Sequence, residues 1–479
     1  MSATFSARRL ETQSIGKSEG TLPMNVLQTI LAYQTFINNE EELTRNENNS
    51  QNQTTLYNRL QSLLSIFISQ SIPTIFGLFI NLLDACTFGT VFFPAYMGNT
   101  SNLVVELFLL STFFSQLILI YFSSFQSALG TSMAENIPFI HSICDNIYRD
   151  LKEDPFQQEK LLPTALVAVS LSVVLNGVLF IILGMFHLGN ILHFFPRYVI
   201  IGLNAGFGVF LIGTAFEIST GLPMTTASFL LLTKDMIIQI YASVIAEVGL
   251  RLLAFMGVND IILSLIMFFI PAGLFIVLYL GNIPLSSARD HLWLFSENSS
   301  ASGFHWYNTW DNYLQWENID WAVIAMQLPT IGLLALFTIV LVPVRIPSLA
   351  LITNEEVIFD EELIAQGIGN ILSGLFGCPH NYLSYSNSIF YYILKGKGRN
   401  PCLILCLLTF FCFFIGSKVI NYTPRIIASL IMVHLGVDLM ISAFFENRRT
   451  LTYSEFFCML FVCIIVVCFG FVMGMCVGI

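Results

Sequence analysis

Pro73-Thr74-Ile75 is the stretch that decides the fold, because it occurs a second time as Pro329-Thr330-Ile331. A second motif repeats in the same order and at a comparable spacing, since Pro196-Arg197 returns as Pro424-Arg425. In a membrane protein, weak internal repeats of this kind are typical of transporters built from two inverted halves. The binding site of such a protein lies at the interface of the halves.

The composition indicates that this is a membrane protein. Hydrophobic residues make up 55% of the chain, charged residues make up 11%, and the mean hydropathy is +0.74. A soluble domain carries roughly 25% charged residues. Continuous apolar segments near bilayer-spanning length follow one another from about residue 62, which favours helices over a β-barrel. The net charge of −11 argues against a nucleic-acid partner.

We predict an all-α polytopic membrane protein with 14 spans, arranged as a 7+7 inverted repeat that includes two half-helices. An odd number of spans in each half inverts the second copy relative to the first. Two of the segments, at 127–141 and 384–394, are too short to cross a bilayer, and the repeat spacing relates them to each other. The other predicted spans are 72–96, 103–122, 164–186, 195–216, 236–256, 258–281, 321–343, 361–377, 401–416, 423–444, 453–467 and 468–479.

The N-terminal segment differs from the rest of the chain. Residues 1–64 are predicted to be a disordered tail, because the stretch 38–55 is rich in Asn, Glu and Gln. Basic loop residues, among them Arg345 after the span 321–343, are more frequent on the side of the N-terminus, which places that terminus in the cytoplasm. Residues 65–479 are predicted to form the membrane domain, and no soluble domain is expected after it.

The two short segments carry the candidate binding site. A helix that begins inside the bilayer leaves its first N–H groups without partners, and Ser, Thr and Asn side chains can cap them. Two such positive helix ends facing each other form a small polar cavity that attracts negative charge. The alternative is two ordinary helices joined by interfacial hydroxyl groups. The candidate substrate-binding residues here are Phe125, Ser127, Gly130, Thr131, Tyr385, Ser386 and Asn387.

Asp84 is the most informative single residue, because it lies inside the first predicted span. An ionised Asp at a helix centre costs about 2.5–3.5 kcal/mol on insertion scales. We therefore predict that Asp84 binds the substrate and exchanges a proton, with Thr87 beside it. The alternative is a structural hydrogen-bond acceptor for a neighbouring helix. Gln327 is a further substrate-binding candidate, since the eighth span should face the site as the first does.

Other polar residues in the spans are weaker candidates. Glu135, in the first short segment, is predicted to take part in proton coupling. Glu106, Glu247 and Asp438 are predicted either to act as gate or coupling acids or to pair with neighbours near an interface. His434 is predicted to be a packing or interfacial histidine rather than a ligand.

The sequence contains no enzyme signature. Neither HExxH nor GxSxG is present, and no set of metal ligands occurs at helical spacing. The ten cysteines lie mostly in apolar segments, where they act as small hydrophobic residues. We therefore expect a protein that is not an enzyme and holds no cofactor or metal. Its expected partners are a small polar solute, protons and the lipid bilayer.

With these residues the chain resembles the sulfate permease (SulP) superfamily. Within it, the chain resembles the fungal branch that includes a vacuolar protein implicated in storing basic amino acids. The resemblance extends over about residues 65–479 and rests on an ordered set of motifs. These are Asn81–Gly89 with Phe93-Pro94, Glu135–Phe139, Phe195–Gly208, Glu361–Gly367 with Asn370, and Asn381–Ser388.

This resemblance implies an architecture and a mechanism. Spans 1–4 and 8–11 would form a core domain, spans 5–7 and 12–14 a gate domain, and the core would move like an elevator against the gate. The substrate would bind between the starts of spans 3 and 10, and members of the family are often homodimers. A vacuolar membrane is implied, with the plasma membrane as the alternative. Two departures are expected to matter: Asn387 stands where many anion carriers have Arg, and a STAS domain is absent.

The function expected from the sequence is proton-coupled secondary active transport of a small polar solute. An amino acid, in particular a basic one, is slightly favoured over sulfate or another inorganic anion, because Asp84 adds negative charge and Asn387 removes a fixed cation. A passive anion channel is one alternative. A receptor or scaffold without transport activity, acting through its N-terminal tail, is another.

Overall fold

The structure, a computed structural model, describes residues 70–98, 100–152, 157–188, 196–225, 227–258, 260–295, 314–449 and 451–478. The predicted tail at residues 1–64 lies outside these ranges. The described chain is almost entirely helical, with one pair of three-residue strands.

In the described residues of the first half, the structure has eight α-helices and one short strand. The sequence explains several of their ends: the side chain of Thr233 caps α6, and Gly221 follows α5 in the left-handed conformation with φ +72°. The elements are α1 Gln70–Gly89, α2 Ser101–Phe122, β1 Gly130–Ser132, α3 Ile137–Asp150, α4 Gln157–Met185, α5 Arg197–Thr220, α6 Lys234–Phe255, α7 Asp260–Leu280 and α8 Leu285–Asp290.

The second half repeats this order, and most of its helices are shorter than their counterparts, although α10 is longer than α1. Asn354 ends α10 in the left-handed conformation, and a capping box of Thr452 and Glu455 begins α16. A short π-helical turn, Ser442–Glu446, extends α15. The elements are α9 Trp321–Met326, α10 Leu328–Thr353, α11 Phe359–Leu375, β2 Asn381–Leu383, α12 Tyr385–Ile393, α13 Arg399–Phe413, α14 Gly416–Ile420, α15 Arg425–Ile441, α16 Tyr453–Phe469 and α17 Phe471–Gly478.

Among the described residues, seven helices are long and apolar enough to cross a membrane. Further apolar helices are shorter, as expected for a fold in which some spans are broken or incomplete. The prediction of a polytopic all-α membrane protein is confirmed. The seven long helices are Gln70–Gly89, Ser101–Phe122, Gln157–Met185, Arg197–Thr220, Lys234–Phe255, Leu328–Thr353 and Arg425–Glu446.

Glycines bring helices of the two halves into close contact. A Cβ atom at Gly367 of α11 would lie 2.7 Å from the carbonyl oxygen of Gly177 of α4, so these helices pack backbone against backbone. A Cβ atom at Gly436 of α15 would lie 2.7 Å from the carbonyl oxygen of Gly208 of α5. Small residues at helix interfaces are how membrane helices approach this closely. Helices α4 and α11 therefore form one tight pair, and helices α5 and α15 form another.

The third span differs from its predicted boundaries. Its helix is α3, Ile137–Asp150, rather than residues 127–141, because the preceding residues form β1 and the turn that follows it. Pro138 occupies the first turn of α3, where its missing N–H group costs no hydrogen bond. Helix α3 therefore continues to Asp150, and α4 begins at Gln157. The second half is shorter because α12 and α13 have 9 and 15 residues, whereas α3 and α4 have 14 and 29.

Candidate functional site

The starts of the two half-helices meet as a pair of antiparallel strands. Gly130, Thr131 and Ser132 of β1 pair with Leu383, Tyr382 and Asn381 of β2, respectively, and all six residues are buried. Short strands are unusual in a helical membrane protein, because non-helical backbone is tolerated in the hydrocarbon region only where protein surrounds it or where it lines a cavity. The pairing satisfies backbone groups that the broken helices leave open.

Side chains from neighbouring helices complete this pairing. The N–H group of Gly130 donates to Oε1 of Gln116 on α2 at 2.9 Å, and the N–H group of Leu129 donates to Oγ of Ser388 on α12 at 2.9 Å. On the other strand, Asn370 of α11 both donates to and accepts from the backbone of Asn381, at 2.8 and 3.1 Å. The β1–β2 pair is the crossing point of the two halves, and hydrogen bonds from three helices hold it rigidly.

Gly130 is required by the close approach of α2. A Cβ atom at this position would lie 2.8 Å from the backbone nitrogen of Gln116 and would also collide with the hydroxyl oxygen of Ser115. Such separations essentially never occur for a real Cβ atom. Gly130 therefore determines how closely β1 packs on α2.

Asp84 faces the start of α12. Its Oδ2 atom accepts a hydrogen bond from Nδ2 of Asn387 at 2.9 Å, and Asn387 lies in the first turn of that helix. The N-cap residue of α12 is Ser384, whose side chain does not cap the first turn. The positive end of the helix dipole and this carboxylate are thus neighbours at one site.

A cavity of about 310 Å³ opens beside Asp84. Its volume is at the lower end of the usual range for ligand pockets, which suits one small solute. Helices α1 and α12 form one wall and α7 and α15 form the other, so the cavity lies between spans expected to form the core and spans expected to form the gate. It is lined by Phe76, Phe79, Ile80, Leu83, Asp84, Met267, Ser386, Asn387, Phe390, Ile431, His434, Leu435 and Asp438.

The wall opposite Asp84 carries a network of charged side chains. Arg251 of α6 forms ion pairs with Glu247 and Asp438, both at 2.6 Å. His434 of α15 contacts Glu247 at 2.8 Å and Asp438 at 3.5 Å. His434 and Asp438 also line the cavity. The two i, i+4 pairs, 247/251 and 434/438, were a sequence signal that could have indicated this network.

Glu135 pairs with a basic residue instead of facing the cavity. Its Oε1 atom accepts from a terminal nitrogen of Arg345 at 2.6 Å, and the Arg345 guanidinium also lies 5.2 Å from the ring centroid of Tyr382. Arg345 lies inside α10, so its placement in a loop after residue 343 is wrong. The physical reason is that α10 continues to Thr353, and Glu135 provides a countercharge for the embedded guanidinium.

Three of the predicted substrate-binding residues, Asp84, Ser386 and Asn387, line the cavity. The cavity lining does not include the other predicted residues near the half-helices, which are Thr87, Phe125, Ser127, Gly130, Thr131 and Tyr385. Within the described part of the chain, the hydroxyl groups of Thr87, Ser127 and Thr131 are buried and have no hydrogen-bond partner.

Gln327 lies at a different place from the cavity. It occupies the break between α9 and α10, is 2% exposed, and donates from Nε2 to Oδ2 of Asp150 at the end of α3, at 3.0 Å. Its side chain thus ties the start of α10 to the far end of the first half-helix. Among the described residues, no group of three or more His, Cys, Asp or Glu side chains is arranged to hold a metal ion.

The fold and the site define a class of membrane protein: an inverted repeat in which two broken helices meet beside a cavity with a few polar and charged groups is the architecture of secondary transporters. The chain belongs to the sulfate permease family, whose model matches residues 71–462.

A curated relative is the vacuolar basic amino acid transporter VSB1 of Saccharomyces cerevisiae. It is 29% identical to this chain over 450 residues, which are 88% of this chain and 41% of the relative. The chain therefore spans about two fifths of the length of the curated relative it matches.

Solved structures share the fold. The transmembrane domain of a cyanobacterial bicarbonate transporter, BicA, superimposes with a TM-score of 0.59 at 16% identity, covering 85% of this chain and 96% of that one. The murine anion transporter Slc26a9, in its inward-facing state, gives a TM-score of 0.57 at 13% identity, covering 86% of this chain and 67% of that one. The predicted inverted-repeat architecture and the resemblance to the SulP superfamily are confirmed.

Proposed function

We propose that this protein is a secondary active transporter that exchanges protons for a basic amino acid. The observation that carries the proposal is the charge of the cavity. Its lining, drawn from the described residues, contains the carboxylates of Asp84 and Asp438 and the imidazole of His434, but neither Lys nor Arg. A site of this charge favours a cationic or zwitterionic solute over sulfate.

The wall formed by α1 and α12 suits the amino-acid end of such a solute. The first N–H groups of α12 and the Ser386 hydroxyl group offer donors to a carboxylate. Asp84 offers an acceptor to an ammonium group a few ångströms away, beside Asn387. An Arg at position 387 would pair with Asp84 and neutralise it, so Asn387 preserves the negative charge of the site.

Proton coupling follows from competition for Asp84. A proton and a substrate ammonium group each neutralise this carboxylate, and both cannot do so at once. Binding of one therefore promotes release of the other, which is exchange rather than symport. Across a membrane that bounds an acidic compartment, this exchange accumulates the solute inside. The name of the yeast relative supports a vacuolar membrane for this chain as well.

The position of the cavity supports an elevator movement. The site lies between α1 and α12 on one side and α7 and α15 on the other, while glycine contacts bind α4 to α11 and α5 to α15. Each group of helices is internally tight, so a displacement along the surface between them would carry Asp84 across the membrane. We expect a homodimer, as the family resemblance implies, and a cytoplasmic N-terminus.

Transport into proteoliposomes tests the proposal. Uptake of radiolabelled lysine should require an opposing proton gradient and should exceed uptake of sulfate and bicarbonate. Asp84→Asn should abolish lysine uptake, whereas Asp360→Asn, which removes an acid that pairs with His187 at the surface, should not. Sulfate or bicarbonate uptake without lysine uptake would overturn the proposal, and so would the absence of any flux.

Anion transport is the second candidate, and Arg345 is the observation that favours it. This guanidinium lies over Tyr382, next to the strand pair, and the two structural relatives are a bicarbonate and an anion transporter. Glu135 neutralises Arg345 at 2.6 Å, which weakens the case. Large single-channel chloride currents across planar bilayers would identify a passive channel, while saturable bicarbonate uptake would identify an anion carrier.

A further inference from the structure

The charged network at the α7–α15 wall, which Arg251 and Glu247 of α6 join from behind, has more contacts than a single ion pair needs. Arg251 bridges Glu247 and Asp438 and also donates from a terminal nitrogen to the carbonyl oxygen of His434 at 3.2 Å. This third contact fixes the backbone of α15 at the cavity. The orientations of His434 and Asp438 towards the cavity are therefore set from outside it, by α6.

The members of the network differ in exposure. The Glu247 side chain is only 5% exposed, whereas that of Asp438 is 47% exposed, and Asp438 lines the cavity. Glu247 is therefore a buried structural partner of Arg251 and His434. Asp438 has one oxygen atom on Arg251 and presents carboxylate surface to the cavity.

Arg251 shares its charge between two carboxylates, Glu247 and Asp438, at the same distance of 2.6 Å. Glu247 also contacts the imidazole of His434 at 2.8 Å, whereas Asp438 lies 3.5 Å from it. Asp438 is thus the less closely paired of the two carboxylates, and it is the one that lines the cavity. A carboxylate in this position can accept a hydrogen bond from a cation that enters the cavity.

We propose that Asp438 is the specificity-determining residue that binds the side-chain cation of the substrate, while Asp84 and the start of α12 bind its amino-acid end. This inference rests on the proposed function and deepens it. The assignment of the two ends follows from the donors available. The α12 wall has N–H and hydroxyl donors for a carboxylate, whereas the contacts of Arg251 go to Glu247, Asp438 and the His434 carbonyl.

A set of lysine analogues tests this assignment on the unmodified protein. Lysine, norleucine, Nε-acetyllysine and cadaverine should compete with radiolabelled lysine in proteoliposomes to different extents. Norleucine and Nε-acetyllysine keep the amino-acid end but lack the side-chain charge, so they should bind about tenfold more weakly than lysine, as expected when one charged hydrogen bond is lost. Cadaverine lacks the carboxylate and should also bind weakly. Equal competition by lysine and Nε-acetyllysine would overturn the inference.

The Asp438→Asn variant then locates the effect. It should raise the KM for lysine about tenfold and leave the inhibition constant of norleucine unchanged. A merely structural role would weaken both ligands equally, and that result would also overturn the inference. Asp438→Glu should restore part of the lysine preference. Asp235→Asn, which removes an acid paired with His291 at the start of α6, is the matched control and should change neither value.

These experiments separate the inference from the proposed function. If the unmodified protein takes up lysine but Asp438→Asn keeps the full preference for lysine over norleucine, the inference alone fails. If the unmodified protein takes up no amino acid, the proposed function fails and the inference fails with it. A thermal-shift measurement on each purified variant identifies a loss of folding, and the analogue series on the unmodified protein does not depend on any variant.

Discussion

The two walls of the cavity treat negative charge in different ways. On the α1–α12 wall, Asp84 accepts a hydrogen bond from the neutral amide of Asn387, and within the described chain no basic side chain forms an ion pair with it. On the opposite wall, Asp438 is anchored to Arg251 and lies near His434. The comparison indicates that Asp84 is available to exchange partners, whereas Asp438 is a fixed charge. Our proposals thus place proton exchange on the α1–α12 wall and recognition of the substrate side chain on the opposite wall.

Removing the charge of Asp84 should have the largest effect. In Asp84→Asn, lysine uptake should fall about a hundredfold or more, because a charge pair in a desolvated site contributes about 2–5 kcal/mol. The residual uptake should not respond to pH. In the unmodified protein, lysine binding should weaken as pH falls, since protonation removes the negative charge that attracts the ammonium group. Uptake at two external pH values, with a fixed gradient direction, measures both effects.

The control for this prediction must account for the other titratable groups near the cavity. His434 and Asp438 face it from α15, whereas Glu135 is not among the lining residues and pairs with Arg345. His434→Gln should therefore retain the pH response if Asp84 is the coupling residue. A pH response that survives in Asp84→Asn and disappears in His434→Gln would show that the proton-coupling residue lies on the α7–α15 wall and not on the α1–α12 wall.

The crossing point behind the α1–α12 wall should be sensitive to one added methyl group. Gly130→Ala places a Cβ atom against the backbone of α2, and overpacking of this kind costs about 1–3 kcal/mol. The thermal midpoint of the purified protein in detergent should fall, and lysine uptake should fall with it. Gly249→Ala, on α6, is the control, because a Cβ atom there has nothing within 4 Å and should leave the midpoint unchanged or raise it.

Adding a fixed cation to the α1–α12 wall would abolish the difference between the walls. In Asn387→Arg, the new guanidinium should pair with Asp84, so lysine uptake should fall about tenfold or more and inhibition by sulfate should appear. Asn387→Gln is the control for side-chain size and should retain most of the lysine uptake. Unchanged lysine selectivity in Asn387→Arg would show that position 387 does not control the charge of the site.

The repeat in the sequence predicted the architecture because inverted halves place equivalent segments together. It related 127–141 to 384–394, and the structure pairs Gly130 of the first segment with Leu383, the residue directly before the second. It did not predict that the residues before each half-helix form strands, because that pairing joins positions about 250 residues apart and depends on backbone groups rather than side-chain pattern. The helix start at Ile137 was missed for the same reason.

The charged network at the α7–α15 wall could be predicted from the sequence only in part. The sequence indicates that Glu247 and Asp438 are acids inside spans, but it predicts a packing or interfacial histidine at His434 and does not predict the ion pairs of Arg251. A sequence shows that a charge is embedded and therefore requires a partner. It does not show which of several distant helices provides that partner. Arg345 was misplaced because its partner, Glu135, lies in the other half of the chain.

The smallest effect is expected from a change that keeps the positive charge at position 251, behind the α7–α15 wall, but reduces the number of its contacts. Arg251→Lys retains one positive charge but cannot reach Glu247, Asp438 and the His434 carbonyl at the same time, because an ammonium group lacks the planar fork of a guanidinium. The KM for lysine should rise by about two- to threefold, since Asp438 keeps its charge but loses part of its fixed orientation.

The comparison of the walls determines how this result is interpreted. Norleucine should be unaffected, because it does not use Asp438, and the proton dependence should remain, because Asp84 is intact. Arg149→Lys, on the exposed end of α3, is the control for the substitution itself. Arg251→Lys could instead abolish the proton dependence while lysine still binds. That result would show that protons exchange on the α7–α15 wall, and Asp84 would then be the fixed charge of the site.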